Sequence, residues 1–416
     1  MTAPAPDGTP DGPAPDSFRA AAIPIAGATF LSMVGVGMLV PALPELARGA
    51  PDPALAAGSL IGAYGFSRLL FNAPSGLALD RIGIARAANV GLLLLAANSA
   101  LGYFSAHYVV LLAVMAIQGA ASSLFSTAAM TALVLKAGPA ARGRAMAWFQ
   151  SSLLLGFATG PVIGGQVVDR FDPHLPFLLQ VGIALLAMLA VRAMPGGTGK
   201  PGQGKPQGGP GGAPAASVWK TTLVLGGLAG FAAFATRFGI AWNLVPVEAR
   251  GPLQLSNGEL GWIIGLGTLA NLAVTPFLGK LIDGYGARPT YAVAAVLSVA
   301  AMVLLLTVPS RAVLWLATAL ILLATGVMIP AAAALALTGA EPRRMGQLMG
   351  IYRTMAESGM AIGPVALPAF TAALGLPVVS GLLPCIALTA LAACIVLVIG
   401  RRPSASELAA PRPGAA

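Results

Sequence analysis

The sequence predicts an all-α polytopic membrane protein with twelve transmembrane helices in two pseudo-symmetric six-helix bundles, on three observations. Hydrophobic residues make up 57% of the 416 and charged residues only 9%, whereas a soluble domain carries about 25% charged residues to keep its surface wetted. Mean hydropathy is +0.82, and residues 20–44, 175–191, 289–310, 312–340 and 358–400 hold no Asp, Glu, Lys or Arg. About 20 such residues are enough for a helix to cross hydrocarbon. Third, Gly76, Asp80 and Gly83 recur as Gly279, Asp283 and Gly286, and Gly156, Gly160 and Pro161 recur as Gly359, Gly363 and Pro364, all 203 positions later. Two unrelated motifs sharing one offset mark a duplicated unit of about half the chain.

Residues 1–18, rich in Pro, Ala, Asp and Gly, read as a disordered cytoplasmic tail, without the basic start or small-residue cleavage pattern of a signal peptide. The first bundle, 19–194, takes six spans at roughly 20–42, 55–79, 87–105, 108–132, 145–168 and 175–193. Residues 195–218 hold nine Gly and five Pro among 24, a composition that does not pack as a helix, so they read as a flexible cytoplasmic linker. The second bundle, 219–402, repeats the pattern at roughly 220–247, 258–282, 288–308, 312–337, 346–373 and 377–400, and 403–416 form a second cytoplasmic tail.

Twelve spans put both termini on one side. Seventeen Lys and Arg fall on that side and four, Arg48, Arg170, Arg250 and Arg311, on the other. This positive-inside bias makes the shared side cytoplasmic. The net charge of +10 is thereby explained as topology, and no nucleic-acid partner is read from it. Five Lys against nineteen Arg, with abundant Ala, Gly and Pro, point to a GC-rich bacterial genome and hence a bacterial cytoplasmic membrane. Cys385 and Cys394 stand on one expected helix, about 13 Å apart along its axis, too far for a disulfide. No metal-ligand cluster occurs in the sequence, and no metal or cofactor is expected.

Two motifs bear on mechanism. In Pro74–Gly83 the glycines suit a tight turn between helices that emerge close together, so Gly76 and Gly83 read as turn and packing chemistry. Asp80 and Arg81 stand at the membrane boundary, where a carboxylate meets a helix N-terminus or a basic loop; Arg142 and Arg144 are its candidate partners. In the fifth span Gly156, Gly160 and Gly164, followed by Gly165, lay a smooth stripe for a close neighbour. Pro161 removes a backbone bond there and permits a bend.

The run from Pro74 to Gly83 resembles the signature between helices 2 and 3 of the major facilitator superfamily. The run Gly156-Phe157-Ala158-Thr159-Gly160-Pro161-Val162-Ile163-Gly164-Gly165 is similar to that superfamily's antiporter motif. The weaker copies on the eighth and eleventh spans fit its two-bundle duplication. The resemblance implies the major facilitator fold, alternating access, drug:proton antiport by a monomer, and gating by Gly76, Asp80, Arg81, Gly83 and Asp283. The chain also departs from the pattern: Ile84 and Ala85 stand where a basic pair is usual, and Met115 where an intramembrane Arg precedes Gln118-Gly119. The first span has no acid. Coupling has to sit elsewhere.

Four charged residues fall well inside the expected spans: Arg68, Arg237, Arg353 and Glu357. Each costs about 2.5–3.5 kcal/mol at the bilayer centre on insertion scales, so such groups face a cavity or a partner. Arg68 lies about 18 Å up its helix from Asp80, and Glu357 about 20 Å from Arg344, which places both near the midplane. Arg353 and Glu357, at i and i+4, share a helical face and can pair. Their repeat equivalents, Gln150 and Leu154, are uncharged, so the duplicated fold does not require the pair.

Two readings stay open for it: a buried structural ion pair, or proton coupling with Glu357, the one acid well inside the expected spans, as carrier. Arg237 either faces the interior or snorkels to the outer interface. Three arginines against one glutamate favour anionic or neutral solutes. The substrate-binding candidates are Arg68, Arg237, Gln118, Gln150, Trp242, Asn243, Asn271 and Tyr352, and for the uncharged ones an interhelical hydrogen bond is the competing role.

The expected function is secondary active transport, proton-coupled export of small organic or drug-like molecules, with substrate, protons and lipid bilayer as partners. Two alternatives remain: organic-anion uptake or exchange on the intramembrane arginines, and a non-transporting receptor or scaffold. An enzyme is not expected, because no nucleophile–base constellation appears. The fold does not encode the substrate.

Overall fold

A computed structural model describes residues 15–105, 107–137, 142–192, 218–308, 310–338 and 345–398. Most of the expected tails and linker, with Arg343 and Arg344, lies outside the described residues, as does the side chain of Arg142. Twelve principal helices follow in order: α1 Pro15–Met38, α2 Pro53–Ile82, α3 Ile84–Tyr103, α4 Tyr108–Ala137, α5 Arg142–Arg170, α6 Leu175–Arg192, α7 Val218–Thr236, α8 Asn257–Tyr285, α9 Ala287–Thr307, α10 Arg311–Ala336, α11 Met345–Leu374 and α12 Leu382–Val398. No strand occurs among the described residues. Ten of the helical runs are long and apolar enough to cross a membrane. Helix α6 is shorter, at 18 residues, and α11, at 30 residues, carries Arg353 and Glu357.

Local chemistry sets the ends. Asp52 accepts the Leu55 N–H at 2.9 Å and Pro53 opens the first turn, so α2 starts there. It stops at Gly83, whose φ of +84° only glycine adopts without strain. The repeat copy ends α8 identically at Gly286, φ +88°, whose N–H reaches the Ile282 carbonyl at 2.8 Å. Beyond Thr236, α7 continues through a π-helical segment, Arg237–Leu244, and a last turn, Val245–Arg250.

Packing divides the chain into two compact units. One holds α1–α6 with Gln254–Leu272, the first half of α8; the other holds α7, the remainder of α8 and α9–α12. In the first unit α5 lies along α1, α2 along α4, and α3 against α4 and α6. Its core gathers Leu92, Leu95, Phe125, Ala128 and Ala187. In the second, α11 lies along α7, α10 along α7 and α9, and α12 against α9, around Tyr291, Met328, Ala332, Tyr352 and Ala356. The pairs α1–α5, α3–α4 and α3–α6 thus recur as α7–α11, α9–α10 and α9–α12: the sequence duplication is a duplication of packing. Alanine and glycine at these seams let helices approach closely where lipid offers no hydrophobic drive.

Candidate functional site

A buried acid paired with a cation of its own helix sits on α11. Arg353 donates from Nη2 and Nε to the same Glu357 Oε1, at 2.7 and 3.0 Å. The Glu357 side chain is 7% exposed and that of Arg353 42%. The acid is therefore buried inside the unit while its cation reaches an open face. Neighbouring Tyr352 turns inward and donates to the Ile329 carbonyl of α10 at 3.0 Å. Gly230 of α7 makes room for this face of α11: a Cβ there would stand 2.7 Å from Ala356 Cβ and 3.0 Å from the Tyr352 ring.

Arg237 opens the π segment and is buried, with Nη1 at 3.3 Å from the Leu322 carbonyl and 3.5 Å from Thr325 Oγ1, both on α10. It is held inside the unit, so snorkelling to an interface does not describe it. No carboxylate pairs with it among the described residues. Further along the segment, Trp242 meets Phe238 edge-on at 4.8 Å. Buried Asn243 donates from Nδ2 to the Pro364 carbonyl at 2.9 Å. That carbonyl lacks its helical donor because the residue four positions on is Pro368, which has no N–H; the asparagine amide takes the vacant place. Asn243 Oδ1 is itself buried without a partner. π segments recur at functional sites, and this one brings three of the expected residues, Arg237, Trp242 and Asn243, into a single stretch.

In the first unit, buried Arg68 donates to Ser122 Oγ at 3.0 Å and to Ser126 Oγ at 3.5 Å. Tyr64 shares Ser122 at 3.1 Å, and Ser123 donates to Asn72 at 2.8 Å. These groups line the α2–α4 seam, which Gly119 closes: a Cβ there would collide with the Tyr64 carbonyl oxygen. Gln118 is fully buried and accepts from Asn98 Nδ2 at 3.1 Å, its own Nε2 left without a partner. For Gln118, Asn243 and Tyr352 the bonds seen are interhelical. Asn271 is buried on α8, and Gln150 is exposed on α5.

The motif residues divide. Gly83 serves the turn, but Gly76 does not: it lies inside α2, and a Cβ there would meet nothing within 4 Å. The turn-and-packing reading of Gly76 is corrected accordingly. Asp80, Arg81, Asp283 and Arg144 are exposed, and no ion pair joins Asp80 to Arg144 among the described residues. The α5 stripe faces α1. A Cβ on Gly156 would lie 2.6 Å from Met33 Cβ, and one on Gly160 2.6 Å from the Val34 oxygen, while one on Gly164 would collide with the Met38 carbonyl. Pro161 packs on Gly37. The copies repeat this contact, with Gly359 against the Phe231 carbonyl of α7 and Gly363 2.7 Å from the Ala235 oxygen. Gly165 instead faces Asn257 at the start of α8.

Two residues were not found by sequence reasoning. Glu248 is 5% exposed on the last turn after the π segment. An expected span ending at 247 leaves it out, and the helix running on to Arg250 brings it in. Glu357 is therefore not the sole buried acid. Asp169, at the end of α5, binds the start of α8 through Asn257 and Gly258. The Ser256–Glu259 spacing advertises a helix start, but nothing in the sequence names a partner 88 residues away.

The family model described as Major Facilitator Superfamily matches residues 25–248 and 226–416. Multidrug resistance protein 2 of Bacillus subtilis is 27% identical over 159 residues, which is 38% of this chain and 39% of that protein. An uncharacterized MFS-type transporter of Methanocaldococcus jannaschii is 26% identical over 161 residues, 39% of this chain and 42% of that one. The matches thus span about two fifths of these relatives. Among solved structures, the nucleoside transporter NupG superposes with TM-score 0.73 at 11% identity, covering 92% of this chain and 100% of that one. The human organic anion transporter MFSD10 superposes with TM-score 0.62 at 18% identity, covering 92% and 98%. These likenesses are of fold.

Proposed function

The chain belongs to the Major Facilitator Superfamily, a multi-pass transporter family, and on that footing we propose that it is a proton-coupled exporter of small organic molecules working by alternating access. The proposal places it as a monomer in a bacterial cytoplasmic membrane with both termini cytoplasmic. The observation that carries it is the Arg353–Glu357 pair. A carboxylate 7% exposed, bound at 2.7 Å by a guanidinium 42% exposed, can be reached and separated from one side. Protonation neutralises Glu357 and loosens Arg353; arrival of substrate at the open face reverses the exchange. The relative named for multidrug resistance supports the export direction. Asp80, Arg81, Asp283 and the α5 glycines are proposed to govern the helix movements that alternate access.

The test is quenching of a pH-sensitive dye in inverted vesicles carrying wild type or Glu357→Gln, across anionic, neutral and cationic compounds. A compound that releases protons only with wild type supports antiport through Glu357. Equal responses make Glu357 structural. A second reading, uptake or exchange of organic anions, is favoured by Arg237, a buried guanidinium whose partners among the described residues are neutral. It predicts anion flux without proton movement.

A further inference from the structure

The start of α8 is capped twice. Its own capping box comes first: Glu259 N donates to Ser256 Oγ at 3.0 Å, and Ser256 N donates to Glu259 Oε2 at 2.9 Å. That satisfies the third N–H of the helix and leaves the first two, which have no intrahelical acceptor. Asp169 of α5 takes both. Asn257 N donates to Oδ1 at 2.8 Å, Gly258 N to Oδ2 at 2.6 Å, and Asn257 Nδ2 to Oδ1 at 3.0 Å. Negative charge is what a helix N-terminus favours.

Below the cap the two helices touch through glycine. A Cβ on Gly165 would strike the Asn257 carbonyl, and one on Gly261 the Pro161 carbonyl. One on Gly265 would lie 2.6 Å from the Ala158 oxygen. Such a contact is close but carries no directional bond, so the carboxylate supplies the directional hold. The repeat is a control. The position 203 residues after Asp169 is Ala372, and α2, the repeat counterpart of α8, is capped by its own Asp52. The duplicated fold does not require a second cap.

We propose that Asp169 is a gating residue, a latch that fastens α5 to the first half of α8 and leaves Asn257 and Gly258 each time the outer side opens. The outer side is that of Arg170 and Arg250 in the charge-derived topology. The latch rests on the alternating access proposed above and is independent of the coupling ion, the substrate and the direction of transport.

The test is the distance between spin labels at Phe171→Cys and Gln254→Cys, both exposed positions flanking the latch. It is measured on the purified full chain in nanodiscs, in a Cys394→Ser background with Cys385 buried. Asp169→Asn and Asp169→Ala are compared with wild type. Each is expected to shift the ratio of short to long distances toward the long population on the order of tenfold. Unchanged populations in a monodisperse variant overturn the proposal, even where its thermal stability falls, because a merely structural cap weakens the fold without moving that ratio. If Asp169→Ala does not fold, Asp169→Asn decides, since it keeps the shape and one acceptor and places an amide donor against a backbone N–H.

Discussion

Replacing Gly164 and Gly76 by alanine separates packing glycines from tolerated ones on a single measurement. At Gly164 a Cβ would collide with the Met38 carbonyl oxygen, a backbone atom that no rotamer change removes, so α1 and α5 have to move apart. Overpacking of this kind costs about 1–3 kcal/mol. Alanine recovers about 0.5–1 kcal/mol by stiffening the helix interior, which leaves Gly164→Ala destabilised by on the order of 1–2 kcal/mol. At Gly76 a Cβ meets nothing within 4 Å, so only the helix gain of about 0.5–1 kcal/mol remains. The two variants should move in opposite directions, about 2 kcal/mol apart, which is about 25-fold in the unfolding equilibrium. Reversible unfolding in mixed micelles, followed through the five tryptophans, reads this directly. If both substitutions destabilise equally, or Gly164→Ala is neutral, the stripe is not a packing surface and the reasoning fails.

Asn243→Leu should cost about 1–3 kcal/mol, because it leaves the Pro364 carbonyl buried without a donor. Pro368→Ala restores that donor along the helix, so the double variant should be more stable than Asn243→Leu alone; additive losses would refute the pairing. Arg237→Met should leave thermal stability unchanged or raised, since it removes a buried charge with neutral partners. Where the substrate is an organic anion, the same variant should lose its binding in an equilibrium titration, and retained binding would exclude Arg237 from the site.

What the sequence disclosed was what is local. Apolar runs are visible residue by residue, so the twelve principal helices among the described residues overlap the expected spans, while their ends follow caps that hydropathy does not see. The second span, expected over 55–79, runs from Pro53 to Ile82 because Asp52 caps it and Gly83 stops it. Arg353 and Glu357 were legible together because four residues on one helix fix their proximity. Asn243 and Pro364, 121 residues apart, were not, and neither were Arg68 and Ser122, 54 apart. Gly76 was misread because its motif was treated as a unit, whereas only Gly83 has the positive φ that a turn demands. The π segment left no pattern in the sequence, since widening a helical turn depends on what packs against it.

The chemistry of the α11 pair ties the two functional readings together through sign. Protonating Glu357 releases Arg353, 42% exposed at the open face, with its positive charge no longer neutralised. A proton and an anion therefore assist each other at this pair, and linkage makes the help reciprocal. A proton and a cationic or strongly polarised neutral compound oppose each other, since both need the negative form of the same carboxylate. Opposition is what antiport requires, and mutual assistance yields movement in the same direction. Export by proton exchange therefore demands that substrate engage Glu357 itself, with Arg353 displaced, while an anion held by Arg237 or Arg353 couples with the other sign or not at all. The direction of the proton signal, compound by compound, reports which of the two charges on α11 the substrate meets.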